Sequence, residues 1–433
     1  MKYILSAYSD FHSRRSISSW CLFDWANSSY STVIITFVIP AYFVNAVAAD
    51  STIATAQWGV MTGFAALIIA FSAPVLGAIV DAGYSRKPWL AVLTIFLVIG
   101  AALLWFVRPN PEDSELLLWL VGLTLVFSEL GFVFYNGMLP TLAPYKYIGR
   151  ISGMAWGLGY FGGLTCLTIV LFVFVQAEIA PFGLDKLDAE HIRISGPFVA
   201  VWLSIFSLPI FIWTSDEQPR NLPSKAIILS GLKALVNTLV TLPKNSQLSR
   251  FLLARMLYTD GINTLFAFGG LYAAGTFGMS IKEVIIFGLL LNMTAGIGAF
   301  AFSRIDDWIG SKFTILFSLF FIITFGVPLL IIESTFWFWI LGAGLGIFFG
   351  PVQSASRSMM VRISKPEKSS QMFGLFAFSG KATAFVGPWL VSFVVLTYGS
   401  QRLALATVLP FLIIGAFLML SVREPAGAIK DSD

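Results

Sequence analysis

Charge is what this chain has least of. Asp, Glu, Lys and Arg make up 12% of its 433 residues, against about 25% in a soluble domain. So little charge cannot coat a globule, which argues against an ordinary water-soluble protein. Cysteine and histidine number two each, and their placement matches no disulfide framework or metal site. No catalytic Ser/His/Asp set is evident, so neither an enzyme nor a metal or other cofactor is expected. The abundant residues are apolar: 57% are hydrophobic, with 41 Phe and 37 Gly. Glycine is commoner in membrane helices than in soluble ones, and the bilayer is the expected solvent.

A crossing helix needs roughly 20 mainly apolar residues. Twelve such runs occur, at about 17–46, 57–81, 88–107, 116–140, 151–176, 197–214, 250–275, 282–303, 312–333, 336–361, 371–398 and 401–422. The first is too long for a signal segment and contains Asp24, so no cleaved leader is expected. With the N-terminus inside, the inner segments hold nineteen of the 27 Lys and Arg and the outer loops five. The remaining three, Arg255, Arg357 and Lys381, lie within spans. This bias predicts a multi-pass protein of a bacterial inner membrane with both termini cytoplasmic. It also assigns the basic residues to topology rather than to nucleic acid, since no basic patch is interleaved with aromatics.

The longest polar gap, SDEQPRNLPSK at 215–225, separates two sets of six spans. The expected organisation is an N-terminal segment (1–16), a six-helix bundle (17–214), a linker (215–249), a second bundle (250–422) and a tail (423–433). Within the linker, Ile228, Leu232, Leu235, Val236 and Leu239 recur at helical spacing near Lys225, Lys233 and Lys244. That pattern predicts an amphipathic helix, either interfacial or packed on the inner face of the bundle. The halves echo each other. DWAN (Asp24 to Asn27) in span one matches DGIN (Asp260 to Asn263) in span seven. Asp81 precedes Arg86 and Lys87 as Asp307 precedes Lys312.

Six ionisable residues fall inside spans: Asp24, Glu129, Arg255, Asp260, Arg357 and Lys381. An insertion cost of roughly 2.5–3.5 kcal/mol for a central charge makes each a functional candidate facing the interior or a water-filled cavity. Asp24, Glu129, Asp260 and Arg357 lie in spans one, four, seven and ten. Asp24, Asn27, Ser28 and Ser31 share one helix face, as do Asp260, Asn263 and Thr264, and likewise Gln353, Ser354 and Arg357. Glu129 and Asn136 share a side of span four. Depth matches Asp24 with Arg357 and Asp260 with Lys381. These charges could bind a ligand, gate the passage or act as structural ion pairs.

GLGYFGG at 157–163 satisfies G-x-G-x-x-G, but it sits inside an apolar span, where close helix packing is the better reading. SGKAT at 379–383 lacks the upstream glycine of a phosphate loop, and no nucleotide-binding domain accompanies it.

FDWANSSYSTVIITFVIP (23–40), GFVFYNGMLPTLAP (131–144), ARMLYTDGINTLFAFGGLYAAGTFG (254–278), GPVQSASRSMM (350–360) and FGLFAFSGKATAFVGP (373–388) together resemble the vacuole-effluxer-like family of the major facilitator superfamily. The resemblance runs from about residue 17 to 422. It implies an all-α fold of twelve transmembrane helices in two pseudo-symmetric bundles, with spans one, four, seven and ten lining the cavity. It also implies a secondary transporter, with amino-acid efflux as the named family activity. The loop with Gly77, Asp81, Arg86 and Lys87 resembles the superfamily's gating signature, although no base directly follows Asp81 and Pro88 follows Lys87. Asp307 and Lys312 are its counterparts.

A zwitterion needs a cation for its carboxylate and an anion for its ammonium. Arg357 and Lys381 are candidates for the first, Asp24 and Asp260 for the second, with Asn27, Asn136, Asn263 and Gln353 as neutral partners. Asp24 and Glu129 are candidates for proton coupling. The expected partners are thus a small solute, the lipid bilayer and protons, and the expected state is a monomer. The rival expectations are an organic-anion or sugar carrier and a non-transporting scaffold or sensor.

Overall fold

The computed structural model describes residues 11–179, 181–216, 219–220 and 222–425, all helices, turns and loops. The expected N-terminal segment up to residue 10 and the tail from residue 426 lie outside the described residues. The long helices are α1 (Arg14–Val47), α2 (Ser51–Gly83), α3 (Arg86–Phe106), α4 (Pro111–Leu142), α5 (Tyr145–Val175), α6 (Glu190–Trp213) and α7 (Ser224–Lys244). Then come α8 (Ser246–Phe277), α9 (Lys282–Ile309), α10 (Ser311–Leu329), α11 (Thr335–Ile363), α12 (Pro366–Tyr398) and α13 (Gln401–Leu420). Helices dominate because a chain in hydrocarbon must satisfy its backbone groups within each segment.

Hydropathy and length alone would make α7 a crossing helix and would pass over α8, which carries Arg255 and Asp260. The contacts reverse this. Arg220, just before α7, donates its backbone N–H to the Gly83 carbonyl at the end of α2. The other end of α7 runs into α8, whose first turn meets the end of α13: Arg423 donates its N–H to Gln247 Oε1 (2.6 Å) and Arg250 bonds the Ser421 carbonyl. Asp81 near the end of α2 caps the start of α12, while Glu424 after α13 meets Arg362 at the end of α11. All these termini share one end of the fold, so α7 begins and finishes on the same side. The crossing helices are therefore α1–α6 and α8–α13, the twelve expected from the sequence.

The duplication is visible in matching end contacts. After α2, Lys87 donates its ammonium to the Thr214 carbonyl and its backbone N–H to Asp216 (both 2.7 Å). After α9, Lys312 donates its ammonium to the Leu420 carbonyl (2.7 Å) and its N–H to Glu424 (3.0 Å). In each half, then, the third helix is capped by an acid that follows the sixth, and a lysine answers the sixth helix's C-terminal carbonyls.

Packing divides the chain differently from sequence. One compact unit gathers the described residues up to Ile69, Ser85–Met138 and those from Leu158 to Pro219; the other gathers Ala70–Tyr84, Leu139–Gly157 and those from Arg220 onward. The Asp81 end of α2 and the α4–α5 connection with Lys146 and Arg150 thus pack with the second half of the sequence, at the end where the inner-segment Lys and Arg were expected, here called the basic end.

Candidate transport site

In the first unit, Asp24 and Asn27 of the α1 stripe pack against α4, while Ser28 is half-buried and Ser31 exposed. The Tyr135 hydroxyl donates to Asp24 Oδ2 (3.0 Å), and Asn27 and Ser128 bond each other (3.1 Å). Tyr30 and Thr124 share a hydroxyl bond of 2.8 Å. Trp20 stacks on Tyr135 with ring centroids 4.4 Å apart. Asp24 and Asn27 are buried, at 4% and 2% exposure. Antiparallel α1 and α4 place residues 24, 27 and 30 beside 135, 128 and 124. Glu129 is half-buried on α4 and Asn136 is buried. The G-x-G-x-x-G stretch serves helix packing, with Gly159 against Ser28 and Gly163 against Thr32.

The second unit holds the other copy of D-x-x-N, and its carboxylate is unmatched. Asp260 is 3% exposed, yet neither carboxylate oxygen has a hydrogen-bond partner. The pairing with Lys381 expected from depth is not formed. Asn263, one turn on, is half-buried, as are Gln353 on α11 and Lys381 on α12. A buried carboxylate without compensation is strongly disfavoured, which makes Asp260 a candidate contact for a ligand or proton.

Beside Asp260 the expected eleventh span is not continuous. Within α12, regular helix runs Ser369–Lys381 and resumes at Val386–Tyr398, with turns over 382–385. The register of α8 against α12 locates the break. A Cβ on Gly380 would stand 2.9 Å from Arg255, and one on Gly387 would collide with the Thr264 hydroxyl. Asp260 lies midway between Arg255 and Thr264, and the turns lie midway between Gly380 and Gly387. Irregular backbone at membrane depth is tolerated where it is buried in protein or lines a cavity, and discontinuous helices are where transporters build sites. Gly380, Gly387 and Pro388 were the available sequence signal. Arg255 is held by Ser379 (2.8 Å) and the Phe376 carbonyl (2.5 Å), and lies over the Phe376 ring.

Arg357 extends from α11 to α5. It donates to the Ser152 hydroxyl (2.9 Å) and carbonyl (2.7 Å) at the start of α5 and lies 5.6 Å from the Trp156 ring centre. Ser152, which sequence reasoning missed, bonds the Ser354 carbonyl in turn.

Two of the expected gating residues, Asp81 and Asp307, make latch-like contacts within this unit. Asp81 accepts the N–H groups of Ser370 (3.2 Å) and Gln371 (2.7 Å), capping α12 from α2. A side chain on Gly77 would collide with the Ser370 carbonyl, so this crossing needs glycine. Asp307 bonds Arg150 (3.3 Å) and Arg362 (3.5 Å), and Arg362 also meets Asp306 (2.8 Å) and Glu424 (2.9 Å). Arg86 is buried. Lys87 and Lys312 serve as the caps described above, each inside its own repeat.

Twelve crossing helices in two repeats are the architecture of major facilitator superfamily transporters. The fold is shared with the human organic anion transporter MFSD10 (TM-score 0.72, 14% identity, 94% of this chain and 99% of that one). It is shared too with the proton:xylose symporter XylE (TM-score 0.70, 11% identity, 96% and 97%).

The chain belongs to the vacuole effluxer Atg22-like family, whose sequence model matches residues 54–431. An uncharacterised MFS-type transporter of Bacillus subtilis, YxiO, is 26% identical over 94% of both chains. Autophagy-related protein 22 of Cryptococcus neoformans is 24% identical over 61% of this chain and 52% of its own length. The chain therefore spans about half the length of that fungal relative.

Proposed function

We propose that this protein is a secondary transporter of small zwitterions, amino acids foremost, working by alternating access. The carrying observation is Asp260: a buried carboxylate with no partner, beside a broken helix that bears Lys381. An ammonium fits the carboxylate, and a substrate carboxylate fits the lysine. Asn263 and Gln353 offer neutral hydrogen bonds at the half-buried rim. The family description, vacuole effluxer, supports export of a small solute. Opening the latches at Asp81 and Asp307 would admit substrate from the basic end. We place that end in the cytoplasm of the cell membrane, and both termini with it. A cytoplasm-only reporter fused to the C-terminus should be active. Glu129 and Asp24 remain the proposed proton-coupling carboxylates: E129Q or D24N should abolish pH-dependent accumulation.

The first test is thermal stabilisation of the purified protein by amino acids, organic anions and sugars, since a ligand stabilises by binding the folded state. One amino-acid class should raise the melting temperature of wild type and not of Asp260→Asn. Stabilisation by anions or sugars alone would replace this reading. Equal stabilisation of both proteins would remove Asp260 from the site.

A further inference from the structure

The linker helix α7 has three faces where a helix on a water-exposed surface needs two. Ile227, Gly231, Leu235 and Thr238 form a buried stripe, with Ile227 against Gly83 and Gly231 against Ile79 at the end of α2. At about 3.6 residues per turn, the next sector holds Ile228, Leu229, Leu232, Val236, Leu239 and Val240. All are exposed, Leu229 at 58%, Val236 at 59% and Val240 at 67%. The last sector holds Ser230, Lys233, Asn237 and Thr241. Around the helix the order is therefore protein, exposed apolar, exposed polar, and back to protein. That is the arrangement of a helix lying where the bundle meets a membrane surface: one side on protein, one in lipid, one in water.

Charge points to the kind of lipid. Lys225, Lys233 and Lys244 are spread along the helix and its end, and no Asp or Glu occurs between residues 222 and 259. Lys233 borders the apolar sector, where its stem can lie along lipid while the ammonium reaches the headgroups. The crossing helices, whose outer faces are apolar and exposed, place a bilayer beside this end of the fold. We infer that α7 docks in the headgroup layer of the leaflet at the basic end and binds anionic phospholipid there, bracing the end of α2 that carries the Asp81 latch.

The test reconstitutes the full chain in phosphatidylcholine bilayers with or without phosphatidylglycerol. A polarity-sensitive fluorophore is attached at Val236→Cys, Leu229→Cys or Asn237→Cys; both native cysteines are buried. The labels at 236 and 229 should be quenched by nitroxide lipids and shielded several-fold from aqueous iodide, and the label at 237 should behave oppositely. Phosphatidylglycerol should strengthen the lipid quenching, and K225Q/K233Q/K244Q should remove that increment. Labels at 236 and 229 as open to iodide as the one at 237 would overturn the proposal. So would shielding from both quenchers, which would mean that another protein surface or a second copy covers this face. Lipid quenching indifferent to phosphatidylglycerol would overturn the anionic specificity.

Discussion

Asp24 and Asp260 occupy the same place in a repeated motif and live in different surroundings. Tyr135 donates to Asp24, and Asn27 is tied to Ser128, whereas the oxygens of Asp260 are unmatched. The two should respond oppositely to loss of a polar group. Tyr135→Phe removes a buried charge-assisted bond and should lower stability by about 1.5–3 kcal/mol, read as an earlier melting temperature in detergent. Asp260→Asn removes an uncompensated buried carboxyl, so its melting temperature should hold or rise while ligand stabilisation disappears. The spacing of D-x-x-N was readable from the chain. Which copy stays unsatisfied was not, because that depends on hydroxyls contributed by a helix more than a hundred residues away.

The helices show the same division. Apolar run length located the twelve crossings well, since hydrocarbon thickness sets a span's length. It did not reveal the turns at 382–385 in α12, which lie beside Asp260 and Thr264. A hydropathy window alone favours α7 over α8 as a span, because α7 is apolar on both its buried and its outer face and α8 carries internal charges; the amphipathic period of α7 and the longer run of α8 assign them correctly. The α2–α12 crossing offers a sharp test. Gly77→Val would drive a side chain into the Ser370 carbonyl. Asp81→Asn would weaken a cap of a kind whose loss costs about 0.5–2 kcal/mol. Both should raise the alkylation rate of a Ser370→Cys reporter, buried in the native protein. The valine variant should show the larger effect, because backbone cannot yield as a side chain does.

For the molecule as a transporter, the Arg362 cluster is a dense polar commitment at the basic end. Its side chain is 1% exposed and faces Asp306, Asp307 and Glu424. Arg362→Ala would strand buried carboxylates and should cost about 3–5 kcal/mol. If the cluster also holds the basic end shut, the same variant should open that end to aqueous cysteine reagents, where Arg150→Ala, on a half-exposed partner, should do so with a smaller loss of stability.

Composition decided that the chain lives in a bilayer, because a polymer with so few charges cannot be coated by water. Its apolar periods decided how many helices cross, and its repeated motifs that two halves share one plan. Tertiary structure decided that Asp24 and Arg362 are held by partners while the Asp260 carboxylate stands unmatched. Run length and hydropathy are local properties of a segment. Satisfaction of a buried carboxylate depends on donors brought from elsewhere in the fold, and only packing determines where those donors lie.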